Sequence, residues 1–368
     1  MARHHPRILG CVVKGLSGAS TAAEQPTATA TRSALFLGNW RRFLARARGM
    51  LKSDGWVLLE WDDDDAHEPL TDLLARSPPV AAVIGGPEAV AVVARLADPR
   101  LLQVPFTGVD WLDPGALPRG CAAANVHGMD QPIAEYVLGT MLDSAVGFSS
   151  LNAEFKSDGI FRPPFPRNDG YKGKPFHNEI GGKTLGIVGL GSIGLQVAKR
   201  AKAFDMTVLA TTRTARPQIP PNVDWAGTGV GTDLDKLLAA SDFVLLTCPL
   251  TPETQNLFDA SRLAKMKEGS ILINVARGGV VDEQALYDAL IEKKTVVGSI
   301  IDVWWGSHET GNPSLLGLEW QELPNVVMTP HASGWTEAGA ESRRIQEIAA
   351  NLDALAGFGA LVNVVHEG

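Results

Sequence analysis

The chain has 368 residues, with 41 acidic against 33 basic side chains, a net charge of −8 and a pI near 5.5. Hydrophobic residues make up 45% of it, enough for a sizeable core and too many for a chain disordered throughout. The negative balance argues against nucleic acid as a partner. No uncharged apolar run of about 18 residues offers a membrane-spanning helix, and Cys11, Cys121 and Cys248 fit neither a zinc pattern nor a disulfide framework.

Residues 1–33 stand apart: Arg3, Arg7, Lys14 and Arg32 face one acid, Glu24, in an Ala-, Ser- and Thr-rich stretch. That composition suits an organellar transit peptide or a plain tail. The expected location is therefore the cytoplasm, with an organelle as the alternative if the tail is a targeting signal. The length suggests two domains, at about 150 residues each.

From residue 34 strands and helices alternate. Ala34–Gly38 reads as a buried strand, Arg41–Lys52 as a helix with Phe43, Leu44, Ala47 and Leu51 on one side, and Gly55–Trp61 as a second strand. Val80–Ile84 and Leu101–Val104 follow as strands, with Gly85-Gly86-Pro87 between them. Gln131–Asn152 reads as one long apolar helix, and the Pro- and Gly-rich stretch 159–182 as a linker. Beyond it strands are expected at Thr184–Val188, Thr207–Ala210, Phe243–Cys248, Ser270–Asn274 and Val296–Asp302, with helices between. Such alternation implies an α/β fold with parallel sheets.

Thr184–Val188 runs into Gly189-Leu-Gly191-Ser192-Ile193-Gly194, a G-x-G-x-x-G turn with the helix Leu195–Phe204 behind it. In a dinucleotide site the first glycine allows the tight turn, the second admits the pyrophosphate, and the third lets helix and strand pack closely. The helix N-terminus adds unpaired N–H groups for the phosphates. An NAD site usually carries an acid about 20 residues on, against the ribose 2′-hydroxyl. Here the next strand ends Thr211-Thr212-Arg213-Thr214. An arginine and threonines suit a 2′-phosphate better than a carboxylate would. NADP(H) is therefore expected as the preferred cofactor, with NAD(H) possible.

Further motifs follow in order: Leu250-Thr-Pro252-Glu-Thr254, Ile273-Asn274-Val-Ala276-Arg277-Gly278, Ile301-Asp302-Val303 and Thr329-Pro330-His331-Ala-Ser333-Gly334, with Gly108-Val109-Asp110 and Ile133-Ala134-Glu135-Tyr136 upstream. Together they resemble the D-isomer-specific 2-hydroxyacid dehydrogenases over roughly residues 34–365, within which glyoxylate/hydroxypyruvate reductase-like members fit best. The resemblance implies two Rossmann-like or flavodoxin-like parallel-sheet domains, the nucleotide-binding domain (141–334) inserted into a substrate domain (34–140 and 335–368), with the active site between them. It implies hydride transfer between NADP(H) and a small 2-oxo or 2-hydroxy acid, and a homodimer paired through the nucleotide domains.

Arginine keeps its proton and grips a carboxylate bidentately. By family match Arg277 would hold the substrate and polarise its carbonyl. His331, as a histidine titrating near neutrality, would donate and recover the proton. Asp302 would face the nicotinamide amide, and Cys248 with Pro249 would wall the ring. Thr254, Ala276 and Gly334 complete the expected cofactor set, and the backbone of Gly85 and Gly86 would bind the substrate carboxylate. Asn125, His127 and Met129 fall where relatives line the cleft, and Trp304, Trp305 and Trp335 flank the catalytic motifs.

One departure stands out. Where most of the family has a glutamate paired with the catalytic histidine, this sequence has Ser307, with Glu309 two residues on. Either Glu309 reaches back, or His331 works with a lower pKa, or turnover is impaired. A dinucleotide-sensing protein without turnover, and a formate- or phosphoglycerate-dehydrogenase-like activity, are the alternatives.

Overall fold

The computed structural model describes residues 32–62, 69–159, 177–306, 311–336 and 339–368. In chain order the strands are β1 (Arg32–Leu37), β2 (Trp56–Trp61), β3 (Val80–Ile84), β4 (Leu101–Gln103), β5 (Ala122–Ala124), β6 (Thr184–Val188), β7 (Thr207–Thr212), β8 (Trp225–Thr228), β9 (Phe243–Leu246), β10 (Ser270–Asn274), β11 (Val296–Ile301), β12 (Val326–Met328) and β13 (Val364–His366). The α-helices are α1 (Leu44–Met50), α2 (Leu70–Arg76), α3 (Glu88–Val93), α4 (Asp130–Val146), α5 (Phe148–Asp158), α6 (Ser192–Lys202), α7 (Thr232–Ala240), α8 (Ala260–Leu263), α9 (Glu283–Glu292) and α10 (Gly339–Leu355).

The chain divides into two compact units. One holds residues 1–129 and 337–368, the other residues 130–336. The expected boundary at 140 falls inside α4. That helix belongs whole to the second unit, because it packs along α6 and Glu135 reaches Arg200 Nη2 at 3.4 Å.

The first unit is built on a six-stranded sheet ordered β13-β5-β4-β3-β1-β2. Its first five strands run parallel in the doubly wound 2-1-3-4-5 order, and β13 adds an antiparallel edge. Successive side chains of a strand point to opposite faces, so β1 feeds two cores. Ala34 and Phe36 pack with Phe43, Leu44 and Ala47 and with Ile345, Ile348 and Leu352 of α10. Leu35 and Leu37 pack with Leu70, Leu73, Ala89 and Val93 on the other face. A parallel sheet covered on both sides must read as a continuous apolar run, which is how β1 and β3 announce themselves.

The second unit carries a seven-stranded, all-parallel sheet ordered β12-β11-β10-β9-β6-β7-β8. The order reverses at β6, which pairs with β7 on one side and β9 on the other. Ligands of open α/β sheets bind in the crevice at the carboxyl ends of strands flanking such a switch point. Here that crevice lies beside the residues following β6 and β9.

Several elements differ from the sequence reading. The expected helix Arg41–Lys52 opens as a 3-10 turn over Gly38–Phe43 before α1. The expected long helix 131–152 is two helices, broken where Gly147 takes a left-handed φ of +73°, a conformation that ends helices. β7 extends to Thr212, β9 stops at Leu246, and α6 begins at Ser192 rather than Leu195. The strands β5, β8, β12 and β13 have no counterpart among the expected elements. Most of the expected linker, 160–176, and the tail 1–31 lie outside the described residues. No helix among those described is long and apolar enough to cross a membrane.

Candidate active site

The glycine turn after β6 has the shape of a dinucleotide cradle. Gly189 sits at φ +100°, and a Cβ there would come within 2.7 Å of the Cys248 backbone N; only glycine lets the turn run this close to the end of β9. At Gly194 a Cβ would lie 2.7 Å from the Gly189 carbonyl oxygen and 3.1 Å from Ile187, so α6 could not keep its place against β6. Gly191 is different: nothing in the chain lies within 4 Å of where its Cβ would be. It caps α6 without a side chain, and the first-turn N–H groups over Ser192, Ile193 and Gly194 have no partner within the helix. An open glycine at an uncapped helix N-terminus fits a pyrophosphate group.

At the end of β7, Thr211 is buried while Arg213 is exposed, and the Thr212 hydroxyl donates to the Thr214 carbonyl at 2.7 Å. Glu253 is held below the usual carboxylate range by a hydrogen bond from Thr251, its own backbone and the nearby charge of Arg213. A second guanidinium, overlooked in the sequence, is Arg216. It donates to the Leu190 carbonyl inside the glycine turn.

Cys248 is buried, and burial pushes its thiol up to about 11. A buried thiol held in its protonated form is a poor nucleophile. Pro249 follows Cys248, and Thr254 ties the loop behind it: its hydroxyl donates to the Pro249 carbonyl at 2.7 Å and accepts the Thr251 N–H at 2.7 Å. In this structure Thr254 therefore shapes the loop from within.

Arg277 follows β10 in extended backbone, φ −146°. Asn274 sets the turn, its amide donating to the Arg277 carbonyl at 2.9 Å and its oxygen accepting the Ala276 N–H at 3.0 Å. The Arg277 guanidinium donates to the Ala276 carbonyl at 2.7 Å. Gly278 is obligatory, since a Cβ there would run into the Trp304 carbonyl.

His331 lies exposed beyond β12 with a left-handed φ of +56°. Arg277 and His331 line one pocket of about 540 Å³, together with Val303, Trp304, Pro313, Met328 and Thr329. The Trp304 indole donates to the Thr329 carbonyl at 2.9 Å, while Trp305 stacks on Trp320 with 5.1 Å between ring centroids. Buried Glu283 ties down the segment after Pro313, accepting from Ser314 Oγ and, at 3.1 Å, from the Leu315 N–H.

The fully buried Asp302 carboxylate accepts from the Thr329 hydroxyl and the Ala332 and Ser333 N–H groups, bracketing the His331 loop and buried Gly334. Gly85 and Gly86 follow β3 in the first unit. The Gly85 N–H goes to the Gln103 carbonyl at 3.2 Å and the Gly86 N–H to the Glu88 carboxylate at 2.8 Å, so both are engaged within the chain. Ser307 and Glu309 lie outside the described residues. Among those described, no cluster of His, Cys, Asp and Glu suits a metal.

A seven-stranded parallel sheet with a glycine cradle at its switch point defines a dinucleotide-binding unit. Sequence comparison narrows the class: residues 138–333 match the profile "D-isomer specific 2-hydroxyacid dehydrogenase, NAD binding domain". The chain is 36% identical to a hydroxypyruvate reductase of Thermotoga maritima, over 64% of this chain and 70% of that protein. It is also 36% identical to a D-3-phosphoglycerate dehydrogenase of Methanocaldococcus jannaschii, over 62% of this chain but only 40% of that longer protein. A crystal structure from Thermus thermophilus superimposes with a TM-score of 0.67 at 29% identity, over 91% of this chain and 99% of the other. The chain belongs to the D-isomer specific 2-hydroxyacid dehydrogenase family, nicotinamide-dependent enzymes acting on the CH–OH group of 2-hydroxy acids.

Proposed function

We infer that this enzyme reduces a small 2-oxo acid of the glyoxylate or hydroxypyruvate type with NADPH. The observation that carries the reading is that Arg277 and His331, from two separate strand ends, line one pocket. Arg277 binds the substrate carboxylate and draws electron density from the carbonyl, a bidentate task its planar fork suits. His331 in its protonated form gives a proton to the oxygen as negative charge develops there, and takes it back in the oxidative direction. Cys248 and Pro249 would wall the nicotinamide ring, which when bound would supply the hydride. Thr212, Arg213 and Arg216 with no acid at the end of β7 favour NADPH over NADH.

A second reading, oxidation of 3-phosphoglycerate, is favoured by the name of the Methanocaldococcus relative. A homodimer is supported by α5, where Phe148, Leu151 and Phe155 repeat on one face and are each at least 40% exposed; sedimentation at monomer mass would remove it. The deciding experiment follows NADPH and NADH absorbance with glyoxylate, hydroxypyruvate and larger 2-oxo acids, and NAD(P)+ with 3-phosphoglycerate. Reduction of a 2-oxo acid by NADPH, lost in Arg277→Ala while NADPH still binds, is the expected result. Tight NADPH binding with no turnover of any substrate would favour a dinucleotide sensor.

A further inference from the structure

The histidine loop is held by a chain of hydrogen bonds whose direction the chemistry fixes. Asp302 Oδ1 receives the Ala332 N–H at 2.8 Å, and Oδ2 receives the Ser333 N–H at 3.0 Å. Backbone N–H groups only donate, so both oxygens act as acceptors. Oδ1 also receives the Thr329 hydroxyl at 2.5 Å. That spends Thr329's single hydroxyl proton. At the 2.8 Å contact between Thr329 Oγ1 and the Tyr136 hydroxyl, Tyr136 must therefore be the donor.

The same threonine holds the loop from its other side. Its carbonyl accepts the Trp304 indole N–H at 2.9 Å and the His331 N–H at 3.0 Å. His331 is thus gripped on both flanks, by Thr329 before it and by Asp302 through Ala332 and Ser333 after it. Tyr136, on α4, is the outermost donor. The Asp302 carboxylate is fully buried, so a lost donor there is not replaced by bulk water at no cost.

We propose that Tyr136 and Thr329 are positioning residues for His331, acting through Asp302. The assignment rests on the reading of His331 as acid and base. Tyr136 orients the Thr329 hydroxyl toward Asp302, which fixes the Ala332 and Ser333 amides and with them the direction of the imidazole. A loosened loop leaves cofactor affinity intact and costs turnover, since a misplacement of about 1 Å can cost a hundredfold.

The test uses the full chain with Tyr136→Phe, Thr329→Val and Thr329→Ser, assayed with NADPH and glyoxylate or hydroxypyruvate. Alongside it, NADPH binding is read by fluorescence and amide hydrogen exchange over residues 329–334. Y136F is expected to lower kcat roughly tenfold and T329V roughly a hundredfold, with NADPH Kd unchanged and faster exchange at Ala332 and Ser333. T329S, which keeps the hydroxyl, should restore both kcat and protection. Unchanged kcat and exchange in Y136F and T329V would overturn the proposal, as would a T329S variant no better than T329V. Y136F deletes one oxygen, so it remains informative if T329V fails to fold. Full activity in His331→Asn would instead overturn the acid/base reading, while the exchange data would still report on the loop.

Discussion

The second and third glycines of the turn after β6, Gly191 and Gly194, make a paired prediction in which one alanine harms the fold and the other harms only binding. At Gly194 the added methyl would lie 2.7 Å from a backbone oxygen and 3.1 Å from Ile187 Cγ2. The backbone cannot yield as a flexible side chain would, so α6 must shift off β6. Overpacking of this kind costs about 2 kcal/mol, a drop in Tm of roughly 4–8 °C for a unit this size. At Gly191 the methyl meets no protein atom within 4 Å, and the residue's φ of −85° with ψ −160° suits alanine. Gly191→Ala should therefore fold as well as the parent, within about 0.5 kcal/mol. The methyl would stand where a pyrophosphate approaches the backbone, and NADPH Kd should weaken at least tenfold, or about 1.4 kcal/mol. Calorimetry and fluorescence titration of both variants separate the effects. A G191A protein with wild-type NADPH affinity would refute the assignment of this turn as the phosphate site, and a G194A protein of wild-type Tm would refute the packing argument.

Two further outcomes follow from the site and its frame. Arg213→Ala and Arg216→Ala should each lower kcat/KM with NADPH roughly ten- to a hundredfold, the range of a charge-assisted hydrogen bond, and leave NADH little changed; equal losses with both cofactors would show that the arginines do not read the 2′-phosphate. Asp242 anchors the start of β6: it accepts the Thr184 N–H at 2.9 Å and pairs with Lys267 at 2.7 Å. Burial raises its pKa, but the Lys267 and Thr184 hydrogen bonds outweigh that and hold it below the usual value. A carboxyl with a depressed folded pKa adds stability above its unfolded pKa, near 3.9, and loses it as pH falls through the folded value. Asp242→Asn should thus cost about 1 kcal/mol at pH 7, since Lys267 is half exposed, and flatten the fall of Tm below pH 4. An unchanged acid limb would remove Asp242 from that role.

The strands that could be read in advance were those buried on both faces. Val80–Ile84, Thr184–Val188 and Ser270–Asn274 are apolar runs because helices cover both sides of the sheets they join. The overlooked β5, β12 and β13 have three residues each, too short to carry a period. β8 hides behind Gly227, which lowers the apparent strand preference and is there because a Cβ would meet the Trp225 ring. In the site, the glycine turn, Arg277 and His331 stand in ordered motifs and could be named directly. The residues that hold them could not. Asn274, Thr329 and Tyr136 are ordinary polar side chains whose partners are set by tertiary contact, and nothing in sequence shows that the chain after Arg213 turns back to lay Arg216 on Leu190.

His331 itself holds a backbone conformation its side chain does not favour. At φ +56° a residue with a Cβ carries a cost of about 1–2 kcal/mol. Glycine escapes it but loses about 0.5–1 kcal/mol more in conformational freedom on folding. The balance predicts that His331→Gly is more stable than His331→Ala by about 1 kcal/mol, the reverse of the order at a residue with ordinary negative φ. Both variants lack the imidazole, so both should lose turnover by a factor of roughly 10²–10⁴, the range of general acid–base catalysis. Thermal denaturation of the pair isolates the backbone from the side chain. An alanine variant as stable as the glycine one would show that the loop carries no strain. If the glycine variant is the more stable, the histidine is kept at a cost to the fold. The bonds of Thr329, Ala332 and Ser333 to Asp302 are then what hold an unfavourable conformation in place for the sake of where the ring points.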